Sequence, residues 1–394
     1  MKATTFMLAL ILLLSQLRAQ DADQSKVGSI RVYTPSAAAS PPSVEVHRDR
    51  TVTFRLFAPR AQTVDLVGRW ERPGRVSIET LTAMVRGSND IWHITIGPLQ
   101  PDIYAYSFIA DGLEMVDRYN PWVQGASSGY GPRPSPLILR SVVEVPGDPP
   151  QLWENQVVPH GTVHYHRYFS KSLDVARRLH VYTPPGYENG SKQYPVLYLL
   201  NAGGDDANST SFGQIHLIAD NLLAQRKAKP MIIVMPNIYM FLDLSTQALQ
   251  SIRSRGMNPF LEDFRKEVMP LVEKTYRVKA NRDNRAIFGG SFGASHAVRF
   301  GLSHRELFAW VGASAGGFLQ ESEIDGTFPG AKSNLRLLWF SCGVEDPQIE
   351  NARKCSAALR AKGISHQFFE APGGHPFENT RPTFATFLAL LFVK

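Results

Sequence analysis

The apolar pattern changes period at Pro149-Pro150, and that change limits what this chain of 394 residues can fold into. Before it, apolar and polar residues alternate. Residues 51–57, 63–67, 91–96 and 103–109 each read as a strand with one buried face, bounded by turns at Ala58-Pro59, Gly97-Pro98 and Asp111-Gly112. Short alternating strands at that spacing predict a small all-β, immunoglobulin-like sandwich over residues 44–145. Beyond the prolines the apolar runs no longer alternate: 178–182, 195–200, 231–235, 286–288 and 337–340. Helical patterns at 258–275, 295–302 and 349–362 lie among them. A strand apolar on both faces needs cover on both. The pattern therefore predicts a mostly parallel sheet with helices on each face over residues 166–394, joined to the sandwich by a linker at 146–165.

The first 20 residues read as a targeting segment: Lys2, an apolar run at 6–14, and a small residue closing Leu17-Arg18-Ala19. That run is short for a membrane span, so an exported protein is expected, secreted or periplasmic, with an uncleaved N-terminal anchor as the alternative. Residues 21–43, polar and then rich in Ala, Ser and Pro, read as a disordered linker. The formal charge is +7; Lys2 and Arg18 would leave with the signal, giving +5 (7 − 2). Its basic residues are scattered, with Arg177-Arg178 the one pair of note, which argues against nucleic acid. The two cysteines, Cys342 and Cys355, make neither a disulfide scaffold nor a zinc spacing; whether they pair depends on geometry.

Residues 286–294 read Ala-Ile-Phe-Gly-Gly-Ser-Phe-Gly-Ala: a short apolar strand, then G-x-S-x-G, then a helix. In α/β-hydrolases this is the nucleophile elbow, where a serine sits on a strained turn and glycines let strand and helix approach. Ser291 is therefore the candidate nucleophile. The motif alone also fits an ordinary tight turn, so its partners decide. A hydroxyl needs an imidazole to take its proton and a carboxylate to orient that imidazole. Four histidines follow it: His296, His304, His366 and His375. His375 lies in the glycine-rich stretch 371–377 before the last helix, an open loop position that suits a general base. His296 falls within the elbow helix, His304 at a helix end and His366 on a strand, and these read as structural. The acid is expected after the strand at 337–340, where Asp346 is preferred and Glu345 is the alternative; both could instead only cap the next helix. An oxyanion hole needs two backbone N–H groups, expected from Phe292, directly after the nucleophile, and from Gly203 in the loop 201–206.

With these residues placed, the chain from about Val157 onward resembles the feruloyl and acetylxylan esterases of carbohydrate esterase family one, related to the esterase D group. The marks are RRLHVYTPPGY at 177–187, YPVLYLL at 194–200, the run 272–294, CGVED at 342–346 and GGH at 373–375. Residues 44–145 resemble the early-set sandwich of carbohydrate-binding module family 48, through VTFRLFAP at 52–59, the run 92–98 and the run 103–121. The resemblance implies an α/β-hydrolase with a Ser-Asp-His triad, which maps onto Ser291, Asp346 and His375. It implies hydrolysis of an ester between a sugar and a ferulate, acetate or similar acyl group, on feruloylated or acetylated polysaccharide, with no cofactor and no metal. Partners expected are the polysaccharide alone, without nucleic acid or membrane, and a homodimer stays open. In starch-type modules exposed aromatics stack on sugar rings; Trp70, Trp92, Tyr104, Tyr106 and Trp122 are the candidates, though aromatics on alternating strands usually serve the core. His164 and His166 alone do not make a metal site.

Two readings compete. A siderophore-type (enterobactin) esterase also combines an early-set sandwich with this hydrolase. A catalytically silent carbohydrate-binding protein on the same scaffold would fit the altered oxyanion strand end, which reads Asn201-Ala202 where the family usually has His-Gly. Phe292 stands where Met is common, and its ring is expected to narrow the acyl side of the pocket. Replacing Phe292 by Met should then shift preference across acetyl, aryl and cinnamoyl esters; an unchanged ranking would count against that role.

Overall fold

A computed structural model describes residues 42–68, 70, 80–127, 137–200, 210, 213–238, 245, 247–248, 250, 254, 258–328, 334–375 and 377–393. The signal segment at 1–20 and all but the last two residues of the linker at 21–43 lie outside these, as do Asn201, Ala202 and Gly203. No helix among the described residues is long and apolar enough to cross a membrane.

Alternation along the first part of the chain closes into two antiparallel sheets. One orders Val44–Val46, Val52–Phe57, Ile91–Ile96 and Val85–Arg86. The other orders Thr80–Ala83, Val64–Gly68, Asp102–Ala110, Leu137–Val145 and Val123–Ser127, with Leu113–Met115 also on Asp102–Ala110. Their inward residues form one core. Phe54 lies with its ring centroid 4.8 Å from Tyr106 and 5.1 Å from Trp70. Trp70, Trp92, Tyr104 and Tyr106 are all buried in or against this core, so four of the five candidate sugar-stacking aromatics are packing residues. Trp122, the fifth, is half-buried and packs with Ile103, Val142 and Trp153.

Past residue 150 the unalternating runs assemble an eight-stranded sheet, whose strands we number β1 (Thr162–Ser170), β2 (Val175–Thr183), β3 (Val196–Leu200), β4 (Ile232–Pro236), β5 (Arg285–Gly290), β6 (Trp310–Ser314), β7 (Leu337–Gly343) and β8 (Gln367–Ala371). The spatial order is β1-β2-β4-β3-β5-β6-β7-β8. Pairing from β4 to β8 is parallel, and β1 and β2 enter antiparallel. This is an α/β-hydrolase sheet preceded by a β-sandwich. β1 starts at Thr162, inside the stretch 146–165 whose sequence reads as a linker. Its alternation is that of an edge strand with one side open.

Helices cover both faces. On one side α1 (Ile215–Ala224) and α6 (Phe377–Leu390) bury Ile218, Leu222, Phe384, Phe387 and Leu388 against the sheet. On the other lie α2, α3 (Phe292–Ser303), α4 (Glu321–Thr327) and α5 (Ile349–Ala361), which bring Phe260, Phe264, Phe300 and Leu359 into the larger core. α2 runs as Pro259–Asp263 and Met269–Thr275 around a π-turn at Phe264–Val268. It begins where Asn258 Oδ1 accepts from the backbone N–H groups of Phe260 (3.1 Å) and Leu261 (3.2 Å), with Pro259 in the first turn.

Two charges that the sequence suggests for the surface are inside. Arg177 on β2 is fully buried; its Nε donates to Asp263 Oδ2 at 2.9 Å, Tyr168 OH donates to the same oxygen at 2.6 Å, and Nη2 donates to the Asn237 carbonyl. Arg381 on α6 is fully buried and pairs with Asp102 on a sandwich strand. Trp153 lies over the Arg381 guanidinium at 5.3 Å. A buried pair offsets its desolvation only while both partners are present. Asp102→Ala should therefore cost about 3–5 kcal/mol of unfolding free energy. Urea or thermal denaturation of the purified variant checks it, and a loss below about 1 kcal/mol would be the contrary result.

Candidate active site

Parallel register sets the site. Gly290 pairs with Ser314, and Ser314 pairs with Ser341, so β5 and β6 finish level beside β7, which runs two residues further to Gly343, and their following loops meet. β5 runs straight into Ser291, whose φ of 47° and ψ of −114° lie outside the regions an L-residue adopts freely. Two hydrogen bonds hold the turn: Ser291 N–H to the Ser314 carbonyl (2.8 Å) and Ala294 N–H to the Ser291 carbonyl (3.1 Å). The flanking glycines are required by space. A Cβ on Gly293 would stand 1.9 Å from the Leu200 carbonyl oxygen, and one on Gly289 2.2 Å from that of Gly293.

His375 follows β8. The loops after β7 and β8 are stitched together by backbone hydrogen bonds from Val344 N–H to the Ala371 carbonyl and from Glu345 N–H to the Gly373 carbonyl, both 2.9 Å. Gly373, at φ 86°, makes the turn that glycine allows. The result places His375 Nε2 2.7 Å from Ser291 Oγ and His375 Nδ1 2.8 Å from Asp346 Oδ2. A carboxylate only accepts, so Nδ1–H donates to Asp346, and the Nε2 lone pair of the neutral ring is left to accept from the serine hydroxyl. Asp346 is buried, and its Oδ1 accepts from Gln348 N–H at 2.8 Å. Between the two carboxylates offered by the sequence, Asp346 meets the imidazole, whereas Glu345 is exposed.

The other histidines lie elsewhere. His304 Nδ1 sits 3.1 Å from the Phe300 carbonyl at the end of α3, and His366 Nε2 is 2.8 Å from Ser356 Oγ. His296 is stacked edge-on to Phe292 (centroids 4.9 Å apart) and 5.3 Å from the ring of Phe260. Burial, helped by the Arg299 charge, lowers it from 6.5 to about 4. Sequence reading did not foresee this contact; the signal was the i, i+4 spacing of Phe292 and His296 on one helix. Neither cysteine offers a thiolate. Both are buried and free; burial, with the Asp346 carboxylate beside it, pushes Cys342 up to about 12, and burial raises Cys355 to about 11. Phe292 occupies the first position of α3, at the helix end where backbone N–H groups point outward. Its side chain is 39% exposed. Gly203 is outside the described residues.

Beside Ser291 and His375 opens a cavity of about 380 Å³. Phe292 and Phe318 contribute apolar surface, while Arg299, Gln320, Gln348 and Asn351 contribute polar surface. A hydroxyl, an imidazole and a buried carboxylate in series, opening on such a cavity, can add the hydroxyl to an acyl carbon and shuttle its proton.

Comparison with known proteins gives a consistent picture. The Esterase family model, described as "Putative esterase", matches residues 170–389. The model of carbohydrate-binding module 48 (isoamylase N-terminal domain) matches residues 43–123. An endo-1,4-beta-xylanase/feruloyl esterase of Xylanibacter ruminicola is 28% identical over 344 residues, covering 84% of this chain and 43% of the relative. An esterase of Mycobacterium tuberculosis is 25% identical over 327 residues, covering 71% of this chain and 66% of the relative. The chain thus spans less than half of the first relative and about two thirds of the second. Among solved structures, a CE1 ferulic acid esterase of the anaerobic fungus Anaeromyces mucronatus is 25% identical with a TM-score of 0.50, covering 61% of this chain and 93% of that one. The enterobactin esterase of Shigella flexneri is 18% identical with a TM-score of 0.61, covering 89% of this chain and 95% of that one, a likeness of fold.

The depressed His296 has a consequence for stability. Its folded value of about 4 lies below its ordinary 6.5, so the unfolded chain binds the extra proton between those pH values. Stability should be full above pH 6.5 and fall by about 3 kcal/mol as pH drops through 4. His296→Gln should flatten that slope in urea titrations run from pH 7 to 4; an unaltered slope would refute it.

Proposed function

The chain belongs to the Esterase family, and from that premise we propose that it is an exported serine ester hydrolase acting on acyl esters of plant cell-wall polysaccharide, feruloyl esters foremost and acetyl esters next. The observation that carries the reading is the relay Ser291–His375–Asp346, with bonds of 2.7 and 2.8 Å already formed. The named activity of the Xylanibacter relative supports the choice of acyl ester. The proposed organisation is a signal at 1–20, a linker at 21–43, a sandwich at 44–145, a linker at 146–165 whose last four residues already belong to β1, and the esterase at 166–394. In it the sandwich serves as a structural partner of the hydrolase, since four of its five candidate aromatics are spent on its own core.

The chemistry follows from the relay. Ser291 Oγ attacks the ester carbonyl carbon while its proton passes to His375 Nε2, and Asp346 stabilises the imidazolium. The charge on the tetrahedral oxygen falls to backbone N–H groups, proposed as those of Phe292 and Gly203. His375 then gives its proton to the departing alcohol oxygen, leaving the acyl group on Ser291. Water, deprotonated by His375, adds to that acyl carbon. Collapse of the second tetrahedral species releases the acid and returns the proton to Ser291.

Ser291→Ala and His375→Ala should each lower kcat on methyl ferulate by at least about 10³-fold. Labelling by a fluorophosphonate should require Ser291. Retained activity in either variant would refute its role, and a folded wild type that neither labels nor cleaves p-nitrophenyl acetate would favour a silent binding protein. Rates on methyl ferulate, acetylated xylan and enterobactin separate the carbohydrate reading from a siderophore esterase.

A further inference from the structure

The cavity beside Ser291 has a mixed lining, apolar at Phe292 and Phe318 and polar at Arg299, Gln320, Gln348 and Asn351. His375 is part of its lining, and His375 is the group that returns a proton to the departing alcohol. The departing alcohol must therefore lie within reach of His375, in the cavity that His375 lines. The same cavity is lined by Gln348 and Asn351, at the start of α5, and by Arg299 on α3. Asn351 Nδ2 donates to Gln348 Oε1 at 2.8 Å. Both side chains are exposed, and that bond leaves Gln348 Nε2 as a donor and Asn351 Oδ1 as an acceptor without another hydrogen bond among the described residues. Arg299 is held in the same way: Nε and Nη2 both donate to Glu323 Oε1, at 3.1 and 2.7 Å, while Nη1 makes no hydrogen bond to the described residues.

We propose that the polar part of this cavity holds the alcohol half of the substrate and reads it as a sugar, with Gln348 and Asn351 pairing to neighbouring ring hydroxyls and Arg299 donating to a third. The proposal rests on the esterase reading. Each sugar hydroxyl both donates and accepts, so two adjacent hydroxyls complement a donor beside an acceptor. The volume of about 380 Å³ lies within the usual range of ligand pockets. An apolar acyl ring placed here would strip water from these groups and leave them unpaired, at about 1–3 kcal/mol apiece. Gln348 also lends its backbone N–H to Asp346 Oδ1, a contact that shortening the side chain leaves intact.

The test compares methyl ferulate with ferulate esterified to an arabinose-containing oligosaccharide, for the wild type, Gln348→Ala and Asn351→Ala, with melting temperatures recorded alongside. Each variant is expected to lose about tenfold or more in kcat/KM on the sugar ester, through KM, so that the ratio between the two substrates falls by a similar factor. Asn351→Asp, which keeps an acceptor but can no longer donate to Gln348 Oε1, should fall between. Equal losses on both substrates would show a merely structural role and overturn the proposal. So would a change that tracks the acyl group, seen as altered preference between acetyl and feruloyl esters of one sugar. A wild type inert on both esters would instead overturn the hydrolase reading, and the sugar site with it.

Discussion

The register of three parallel strands sets everything at the site. The pairing of Gly290 with Ser314 and of Ser314 with Ser341 fixes where the chain leaves β5, β6 and β7. A one-residue slip in any of them would exchange the side chains packed on its two faces, so the cores on both sides of the sheet hold the register. The serine turn, the small-residue loop after β6 and the acid loop after β7 are consequences of that alignment. Gly316 shows how tightly they meet, since a Cβ there would stand 2.7 Å from the Ser291 carbonyl oxygen. Strain at Ser291, of order 1–3 kcal/mol for such a backbone, is tolerable because the sheet determines the turn several times over.

Much of this was legible because it depends on local pattern. The change from alternating to continuous apolar strands separates a sandwich from an α/β sheet, and the small residues around Ser291 announce a close strand–helix crossing. His375 stands out by its glycine-rich neighbours. Other elements carry weaker marks. β6, Trp-Val-Gly-Ala-Ser, is short and poor in large side chains, though wholly buried. β1 alternates because it lies at an edge, so His164 and His166 give it the look of a connecting segment. The choice between Glu345 and Asp346 is made by a turn at Gly343 and by the two backbone bonds joining the β7 and β8 loops, none of which the letters display.

Long-range charge pairing was not legible at all. Arg177 and Asp263 are 86 positions apart, and Arg381 and Asp102 are 279 apart. A sequence window registers each as a polar residue suited to the surface. Only the fold supplies the partner that permits burial, together with Tyr168 on Asp263 and Trp153 over Arg381. His296 belongs to the same class: its position in the elbow helix was plain, but not the aromatic ring on either side of it.

The Arg381–Asp102 pair also bears on how such a chain is inherited. Sandwich modules are readily shuffled between enzymes when the surfaces they share are ordinary, because any neighbour will do. Here the last helix of the hydrolase carries a cation whose counter-charge resides on the other module. Recombination that swapped in a foreign sandwich would have to bring a carboxylate to the same place or replace the arginine in the same event. The hydrolase and its sandwich are matched through one buried charge.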